Sequence, residues 1–339
     1  MATMATMATM EPFRLPLSDG RQITGLLSLP PKAAHPFKGT PLVVTVHGGT
    51  YTASYYDADP AHSISNISKA LSIPVVSLTR PGYSESTALP PLQEGETWNQ
   101  VNGKYLHRSI LPAVWKAYGS KSGATSIVLH SHSIGAAIAI LTTALHNRSP
   151  ETAGYPLSGL VTSGIGSKLT DEPSDNVDAH EEKNEMLRMI DSYQPKPGIE
   201  APVSTWPVEA KDLLMLRAQD GLCSPSLLNG TTAKLNHAAS IREPLDIRRQ
   251  WPHYWHDYAK DIYVPHMYGL GAEESLWIAD RVWVDEYAKA FTKSVRVEAS
   301  ALPLAPHCIE LSYMGQAWLT RTLGFAMECA VWDVLRREK

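Results

Sequence analysis

The chain has 339 residues with 30 basic and 34 acidic side chains, a formal net charge of −4 at pH 7. It therefore has no basic surplus to neutralise a phosphate backbone, which excludes nucleic acid as the main partner. Hydrophobic residues make up 43% and charged residues 19%, a composition typical of a globular protein. The longest apolar run, 134–145, is shorter than the roughly 20 residues that a membrane span needs, so no membrane partner is expected.

The N-terminus repeats a Met-Ala-Thr tripeptide. It lacks the basic region and long apolar core of a secretory signal, so residues 1–10 are predicted to form a disordered tail. Three widely spaced cysteines, Cys223, Cys308 and Cys329, indicate neither a disulfide framework nor a metal site. No metal and no cofactor are expected, and the predicted location is the cytoplasm. The oligomeric state stays open, with a homodimer as one option.

Short apolar runs alternate with helical stretches through the first half of the chain. Asp19-Gly20 joins two apolar-rich runs and predicts an antiparallel hairpin. Further buried strands are predicted at 41–46, 73–78, 126–129 and 160–162, and helices between them at 61–71, 106–118 and 134–147. This alternation is typical of the α/β class, with a mostly parallel sheet covered by helices on both faces.

The alternation stops after Gly166 and returns at 262–268. We expect residues 11–166 and 259–339 to form one core. Residues 167–258 are expected to form a helical insertion, because a structureless loop of that length would be unusual in a compact domain.

Residues 130–136 read His-Ser-His-Ser-Ile-Gly-Ala and lie between a predicted strand and a helix of small residues. The pattern is similar to the nucleophile elbow G-x-S-x-G, in which a sharp strand-to-helix turn requires small neighbours; Ser131 stands for the first Gly. Ser133 would begin the helix, where free N–H groups and the helix dipole favour a developing anion. A Ser-rich turn before a buried helix is the structural alternative.

Three further segments resemble loops of the α/β-hydrolase family, in the family's order. His47-Gly48-Gly49-Thr50 is similar to the loop that supplies an oxyanion N–H. Residues 80–86 resemble the R-P-G-x-G-x-S loop, with Tyr83 where a second Gly is common, and residues 305–310 resemble the catalytic-His loop. The resemblance covers most of the chain outside the tail and the insertion, and the motifs also resemble those of fungal hydrolases found beside secondary-metabolite genes.

The resemblance implies a mostly parallel, eight-stranded sheet with a helical cap inserted after the sixth strand. It also implies a catalytic triad of Ser133, Glu274 and His307. His307 would take the proton of the Ser133 hydroxyl, and the carboxylate would orient the imidazole. The family commonly has Asp at the acid position. This turn offers two glutamates, of which Glu274 is favoured and Glu273 is the alternative.

The expected oxyanion donors are the amide of Ile134 and that of Gly49 or its neighbour Thr50, each worth about 3 kcal/mol of barrier. Substrate contacts are expected from Tyr51, His132, Trp206, Trp251 and Trp255. Aromatic and methionine residues of the insertion, such as Met186, Met189 and Met215, are typical of an adaptable apolar pocket wall. A small core of the insertion's own would account for them equally well.

The leading hypothesis is a serine hydrolase that cleaves an ester, lactone or thioester of a bulky, largely apolar small molecule through an acyl-enzyme on Ser133. An acyltransferase or cyclase, or a carbon–carbon bond hydrolase, would use the same triad. A ligand-binding receptor on a hydrolase fold is the alternative of another class, and the retained Ser, Glu and His argue against it. Dehalogenase and epoxide-hydrolase chemistry is disfavoured, because those relatives need Asp where Ser133 stands.

Overall fold

The alternating apolar runs become strands of one sheet in the computed structural model, which describes residues 10–32, 38–170, 188, 190, 192–228 and 230–339. Residues 1–9 of the predicted tail lie outside the described residues. Met10, the last residue of that predicted tail, is instead buried, and its amide donates to Asp57 Oδ2 at 3.0 Å. This residue therefore packs against the core.

The strands are β1 (Glu11–Pro16), β2 (Gln22–Ser28), β3 (Pro41–Val46), β4 (Val75–Thr79), β5 (Ser126–His132), β6 (Leu157–Ser163), β7 (Val203–Ser204), β8 (Ala239–Ser240), β9 (His266–Glu273) and β10 (Val297–Pro306). Eight of them form one sheet in the order β1-β2-β4-β3-β5-β6-β9-β10, and β7 pairs with β8 separately. The β1–β2 and β2–β4 pairs are antiparallel and the other pairs of the large sheet are parallel. The predicted mostly parallel, eight-stranded sheet is confirmed.

The α-helices are α1 (Ile64–Leu71), α2 (Trp98–Tyr105), α3 (Leu111–Val114), α4 (Ser120–Ser122), α5 (Ile134–Arg148), α6 (Val208–Leu216), α7 (Pro225–Leu228), α8 (Thr231–Lys234), α9 (Arg242–Arg249), α10 (Trp251–Ala259), α11 (Arg281–Lys289) and α12 (Gly315–Arg337). Two π-helical turns, Leu106–Ile110 and Trp115–Gly119, continue the line of α2. None of the helices in the described part of the chain combines the length and hydrophobicity that crossing a bilayer requires.

Both faces of the sheet are buried, which explains why its inner strands read as continuous apolar runs. Along β3, Val44 and Val46 point to the layer that contains α2, α5, α10 and α11, whereas Val43 points to the layer that contains α1 and α12. Because successive side chains of a strand point to opposite faces, β3 to β6 are buried at every position. The buried polar side chains among them include Ser77 and Ser131, whose hydroxyls donate to backbone carbonyls.

The insertion between β6 and β9 carries α6 to α10 and the β7–β8 pair. Residues 171–187, 189, 191 and 229 lie outside the described residues, and Met186 and Met189 are among them. The last helix of this segment, α10, packs in the same layer as α5 and α11. The core therefore resumes at Trp251, earlier than the predicted boundary at residue 259.

Trp251 and Trp255 are buried in this core rather than at a pocket, so the prediction that they contact substrate is corrected. Each is 1% exposed. Their rings stack on each other at 6.0 Å, and Trp255 also stacks on Tyr287 of α11 at 5.1 Å. Both rings are buried by packing in this helix layer, so neither is open to a ligand.

Replacing Trp255 by Ala is expected to lower the free energy of unfolding by about 3–5 kcal/mol, because the vacated volume cannot be refilled by the surrounding rings. Denaturant unfolding followed by circular dichroism measures this loss. Trp332→Ala is the matched control, since Trp332 lies half-buried on α12 and should cost clearly less. An equal, small loss in both variants would contradict the placement of Trp255 in the core.

Candidate active site

Ser133 occupies a sharp turn between β5 and α5. Its backbone has φ 54 and ψ −125, a left-handed conformation that a residue with a side chain rarely adopts. The Ser133 amide donates to the Ser163 carbonyl at 2.8 Å, which fixes the turn to the end of β6. Ser131, which stands where the family commonly has Gly, is accommodated because its hydroxyl donates to the Val161 carbonyl at 3.1 Å.

Two glycines next to this turn have no room for a side chain. A Cβ on Gly135 would lie 2.5 Å from the carbonyl oxygens of both Val46 and His47. A Cβ on Gly48 would lie 3.0 Å from the Cβ of Ser133. The end of β3 and the start of α5 therefore approach closely because each carries a glycine, Gly48 after β3 and Gly135 in α5.

Ser133, His307 and Glu274 are brought together at the carboxyl ends of the parallel strands. Nε2 of His307 lies 3.1 Å from Oγ of Ser133. Nδ1 of the same ring lies 2.8 Å from Oε2 and 2.9 Å from Oε1 of Glu274. Glu274 directly follows β9 and His307 directly follows β10. These strands are parallel neighbours, so both side chains emerge at the same edge.

The Glu274 carboxylate is withdrawn from solvent, with an exposed side-chain fraction of 0% against 2% for His307. The amides of Ser275 and Leu276 both donate to its Oε1 at 2.9 Å, which compensates the lost hydration of a buried charge. The imidazole tautomer with its proton on Nδ1 donates to this carboxylate. Nε2 is then left as the acceptor for the hydroxyl proton of Ser133.

Of the candidate acids, Glu274 rather than Glu273 is thus the residue that contacts His307. Glu273 is the last residue of β9, where it pairs with Pro306 of β10. Asp171, which follows the sixth strand, lies outside the described residues.

Ile134 and Gly49 line the same cavity as Ser133. Ile134 is the first residue of α5, so its N–H has no acceptor within the helix. A Cβ on Gly49 would lie 3.0 Å from Cδ1 of Ile134, so the two residues are in contact. The prediction for Thr50 is corrected: its amide already donates to the Tyr83 hydroxyl at 3.1 Å, so Gly49 is the remaining candidate donor from this loop.

Arg80 and Tyr83 hold this loop from behind. The Arg80 guanidinium donates to the carbonyls of His47 and Gly48, each at 3.0 Å. Arg80 also forms a salt bridge of 2.8 Å with Glu243. Tyr83 accepts from the Thr50 amide and donates to Oε2 of Glu243 at 2.9 Å. Tyr83, the departure from the family's usual Gly, therefore links two elements that are far apart in the sequence.

Lys211 of α6 supports the loop from the other side. Its Nζ donates to the Thr50 carbonyl at 3.1 Å and to Oδ1 of Asn236 at 3.2 Å. It also lies 3.5 Å from the centre of the Tyr51 ring, a cation–π contact. Burial lowers the pKa of Lys211 to about 7, since the apolar surroundings disfavour the charged amine. The Lys211 side chain therefore covers one face of the Tyr51 ring.

A second buried carboxylate, Glu310, lies beneath the triad. It accepts hydrogen bonds from the Tyr55 hydroxyl at 2.7 Å, the Ser163 hydroxyl at 2.7 Å and the Trp318 indole at 3.1 Å. Ser163 in turn lies 3.0 Å from Nδ1 of His132. Burial lowers the pKa of His132 to about 3, so this ring is neutral and packs against His307, with the ring centroids 4.9 Å apart.

A cavity of about 140 Å³ opens onto Ser133 and His307. The predicted substrate-binding residues Tyr51, His132 and Trp206 line it, and Trp251 and Trp255 do not. Most of the remaining wall is apolar, with Ile165 and Trp277 from the core and Ile190, Met215 and Ile247 from the insertion. We call this space the Ser133 cavity. Its volume is similar to the roughly 150 Å³ of an engineered cavity that binds benzene.

The sequence pattern did not identify Lys211, Glu243 and Glu310 as site residues. Glu310 lies three residues after His307, inside a motif that the sequence did indicate. Lys211 and Glu243 lie in the insertion, where no motif marks them. An isolated Lys or Glu in a sequence is normally a solvated surface charge, so only the contacts reveal these residues.

The sequence profile described as the alpha/beta hydrolase family matches residues 43–318, and the chain belongs to this family. A search of curated protein sequences finds no significant match.

Several solved structures share the fold. An esterase from Thermogutta terrifontis is 14% identical with a TM-score of 0.52, and the match covers 94% of this chain and 99% of that one. A monoacylglycerol lipase from Paleococcus ferrophilus is 17% identical with a TM-score of 0.54, covering 86% and 96%. A haloalkane dehalogenase loop variant from Bradyrhizobium elkanii is 13% identical with a TM-score of 0.57, covering 96% and 99%. At these identities the likeness shows the fold alone.

The lowered pKa of Lys211 predicts a pH-dependent stability. The unfolded chain keeps this proton up to its ordinary pKa of 10.5, whereas the folded chain releases it near pH 7. Folding therefore releases a proton within that window, and this contribution to stability rises with pH, by up to about 1.4 kcal/mol per pH unit.

Denaturant unfolding of the wild type and of Lys211→Met, at intervals between pH 7 and pH 10, measures this effect. The unfolding free energy of the wild type minus that of the variant should increase with pH. Lys234→Met, which removes an exposed lysine of α8, should give a flat difference. A flat difference for Lys211→Met as well would contradict the burial of its amine.

Proposed function

We propose that this protein is a serine hydrolase that cleaves an ester, lactone or thioester through an acyl-enzyme on Ser133. One observation carries the proposal: Oγ of Ser133 lies 3.1 Å from the imidazole of His307, whose other nitrogen lies 2.8 Å from the buried carboxylate of Glu274. A hydroxyl is a weak nucleophile on its own, and this arrangement supplies both the base and the group that orients it.

In the proposed mechanism, Oγ of Ser133 attacks the substrate carbonyl carbon while His307 takes the hydroxyl proton. The carbonyl oxygen becomes an oxyanion, which accepts hydrogen bonds from the amides of Ile134 and Gly49. His307, now positively charged beside Glu274, gives its proton to the leaving oxygen or sulfur as that bond breaks. A water molecule then attacks the acyl-enzyme by the same steps and regenerates Ser133.

The nucleophile favours acyl chemistry over the reaction of the dehalogenase that shares this fold. Displacing a halide from an alkyl carbon calls for a carboxylate nucleophile, whose alkyl ester intermediate is then hydrolysed. Ser133 would instead form an ether in that reaction, and water does not readily cleave an ether.

The substrate class follows from the Ser133 cavity. Its largely apolar wall favours an apolar acyl group, as the sequence suggested. Its volume of about 140 Å³ fits a compact group rather than the bulky molecule that the sequence suggested. Ligand sites for drug-sized molecules run to about 300–1,000 Å³. We therefore propose a small-molecule substrate whose acyl part is about the size of one ring.

We further propose that the insertion up to residue 250 acts as a cap over this cavity. Ile190, Trp206 and Met215 of the insertion share the cavity wall with Ser133 and His307. The Met215 carbonyl also accepts a hydrogen bond of 2.9 Å from the amide of Cys308, the residue after His307. This bond would couple the position of α6 to the catalytic-His loop.

Hydrolysis of p-nitrophenyl butanoate by three variants tests the proposal. Ser133→Ala removes the nucleophile and is expected to abolish turnover while the protein remains folded. Glu274→Gln keeps the shape of the side chain but cannot stabilise the imidazolium, so kcat should fall by about four orders of magnitude. Glu273→Gln, one residue away, is the matched control and should stay within a few-fold of the wild type. Equal losses at Glu273 and Glu274, or turnover that survives in Ser133→Ala, would contradict the proposed triad.

A further inference from the structure

Glu243 lies in the wall of the Ser133 cavity with only half of its carboxylate engaged. It is a residue of α9, 0% exposed. Oε2 accepts hydrogen bonds from Arg80 at 2.8 Å and from Tyr83 at 2.9 Å. Oε1 is buried and has no hydrogen-bond partner within the described ranges of the chain. The contacts that Glu243 makes with Arg80 and Tyr83 therefore leave one charged oxygen unused.

A buried acceptor without a partner is unfavourable, and more so when it carries charge, because its water has been removed and not replaced. Such atoms are few in native proteins, and those that persist often mark a place where a ligand supplies the missing partner. The partner of a carboxylate oxygen must be a hydrogen-bond donor. A ligand in the Ser133 cavity, whose wall includes Glu243, can bring such a donor to this oxygen.

The charges near Glu243 favour a neutral donor over a cationic one. The guanidinium of Arg80, at 2.8 Å, already neutralises the Glu243 carboxylate. An ammonium group would bring a second, uncompensated cation into an apolar cavity whose wall already includes Lys211, and the desolvation of such a cation is costly. A hydroxyl group supplies the donor without the charge, so it fits this position better.

The position of Glu243 indicates which part of the substrate carries this hydroxyl. Its Oε2 lies 3.9 Å from the place that a Cβ on Gly49 would occupy, so the carboxylate borders the loop that would bind the oxyanion. A donor bound to Glu243 would therefore belong to the part of the substrate that lies beside this loop.

We propose that Glu243 recognises a hydroxyl group on the acyl part of the substrate, so that the preferred substrates are esters, lactones or thioesters of compact, apolar hydroxy acids. This inference rests on the proposed function, since it concerns the same cavity and the same acyl group. A site that hydrogen-bonds a substrate hydroxyl discriminates strongly against the analogue that lacks it.

The test compares methyl pentanoate with its derivatives that carry one hydroxyl at the β, the γ or the terminal carbon, with acid release followed by titration. The wild type is expected to hydrolyse at least one hydroxylated ester with a kcat/KM about tenfold or more above that of methyl pentanoate. The ratio of the two kcat/KM values is the readout, because damage to the loop behind Gly49 would lower both values together.

Two substitutions test whether Glu243 causes the preference for the hydroxylated ester. Glu243→Gln keeps a neutral acceptor and should reduce the ratio in part, whereas Glu243→Leu removes the acceptor and should bring the ratio to about one or below. Glu209→Gln, at an exposed glutamate of α6, is the matched control and should keep the ratio of the wild type. The comparison within the wild type remains decisive if either Glu243 variant fails to fold.

Four outcomes would overturn the inference. Equal kcat/KM values for all the esters would reject the hydroxyl subsite while leaving the proposed hydrolase intact. A preference that survives unchanged in Glu243→Leu would assign it to another residue. Methyl 5-aminopentanoate is assayed beside these esters, and a stronger preference for it than for any hydroxylated ester would reject the neutral donor. Hydrolysis of none of these esters would contradict the proposed function itself and the inference with it.

Discussion

The strained turn at Ser133 is the constraint on which the rest of the site depends. A non-glycine residue with φ 54 costs about 1–3 kcal/mol and persists only where its surroundings hold it. Here the Ser163 carbonyl anchors the Ser133 amide, and Gly135 and Gly48 let β3 and its loop approach the turn without a clash. The same turn directs the hydroxyl toward His307 and begins α5 beside it. The strain is therefore stored in the part of the molecule that would react.

Three buried carboxylates surround this turn, and the way in which each is compensated suggests its role. Glu274 faces His307 and two backbone amides, so it can support a positive charge that forms on the imidazole. Glu310 accepts from two hydroxyls and an indole, and nitrogens of His130 and His132 lie 3.6 Å from its oxygens. Glu243 is paired with Arg80 but keeps one oxygen without a partner. A buried charge is costly unless its lone pairs are satisfied, which is the reason for proposing a substrate hydroxyl as the partner of this oxygen.

Local signals in the sequence were sufficient for the sheet and for the order of the motifs, because buried strands and the elbow at Ser133 each need particular residues at neighbouring positions. Contacts between distant segments could not be read in this way. Trp251 and Trp255 have the composition of a pocket wall, yet the helix that carries them packs on the sheet layer. The Thr50 amide is a candidate oxyanion donor by its place in the sequence, but it donates to the hydroxyl of Tyr83, which belongs to another loop. Partners brought together only by the tertiary fold leave no periodic pattern in the sequence.

In the proposed mechanism, Ser133 is a nucleophile activated by His307. Incubation with a fluorophosphonate, followed by proteolysis and mass spectrometry of the peptides, tests it most directly, because this reagent reacts with a serine hydroxyl that a neighbouring base has activated. We expect a phosphonyl group on Ser133, found in the peptide that contains it, and on no other serine. A label on another serine, or an unlabelled protein that still hydrolyses esters, would contradict it.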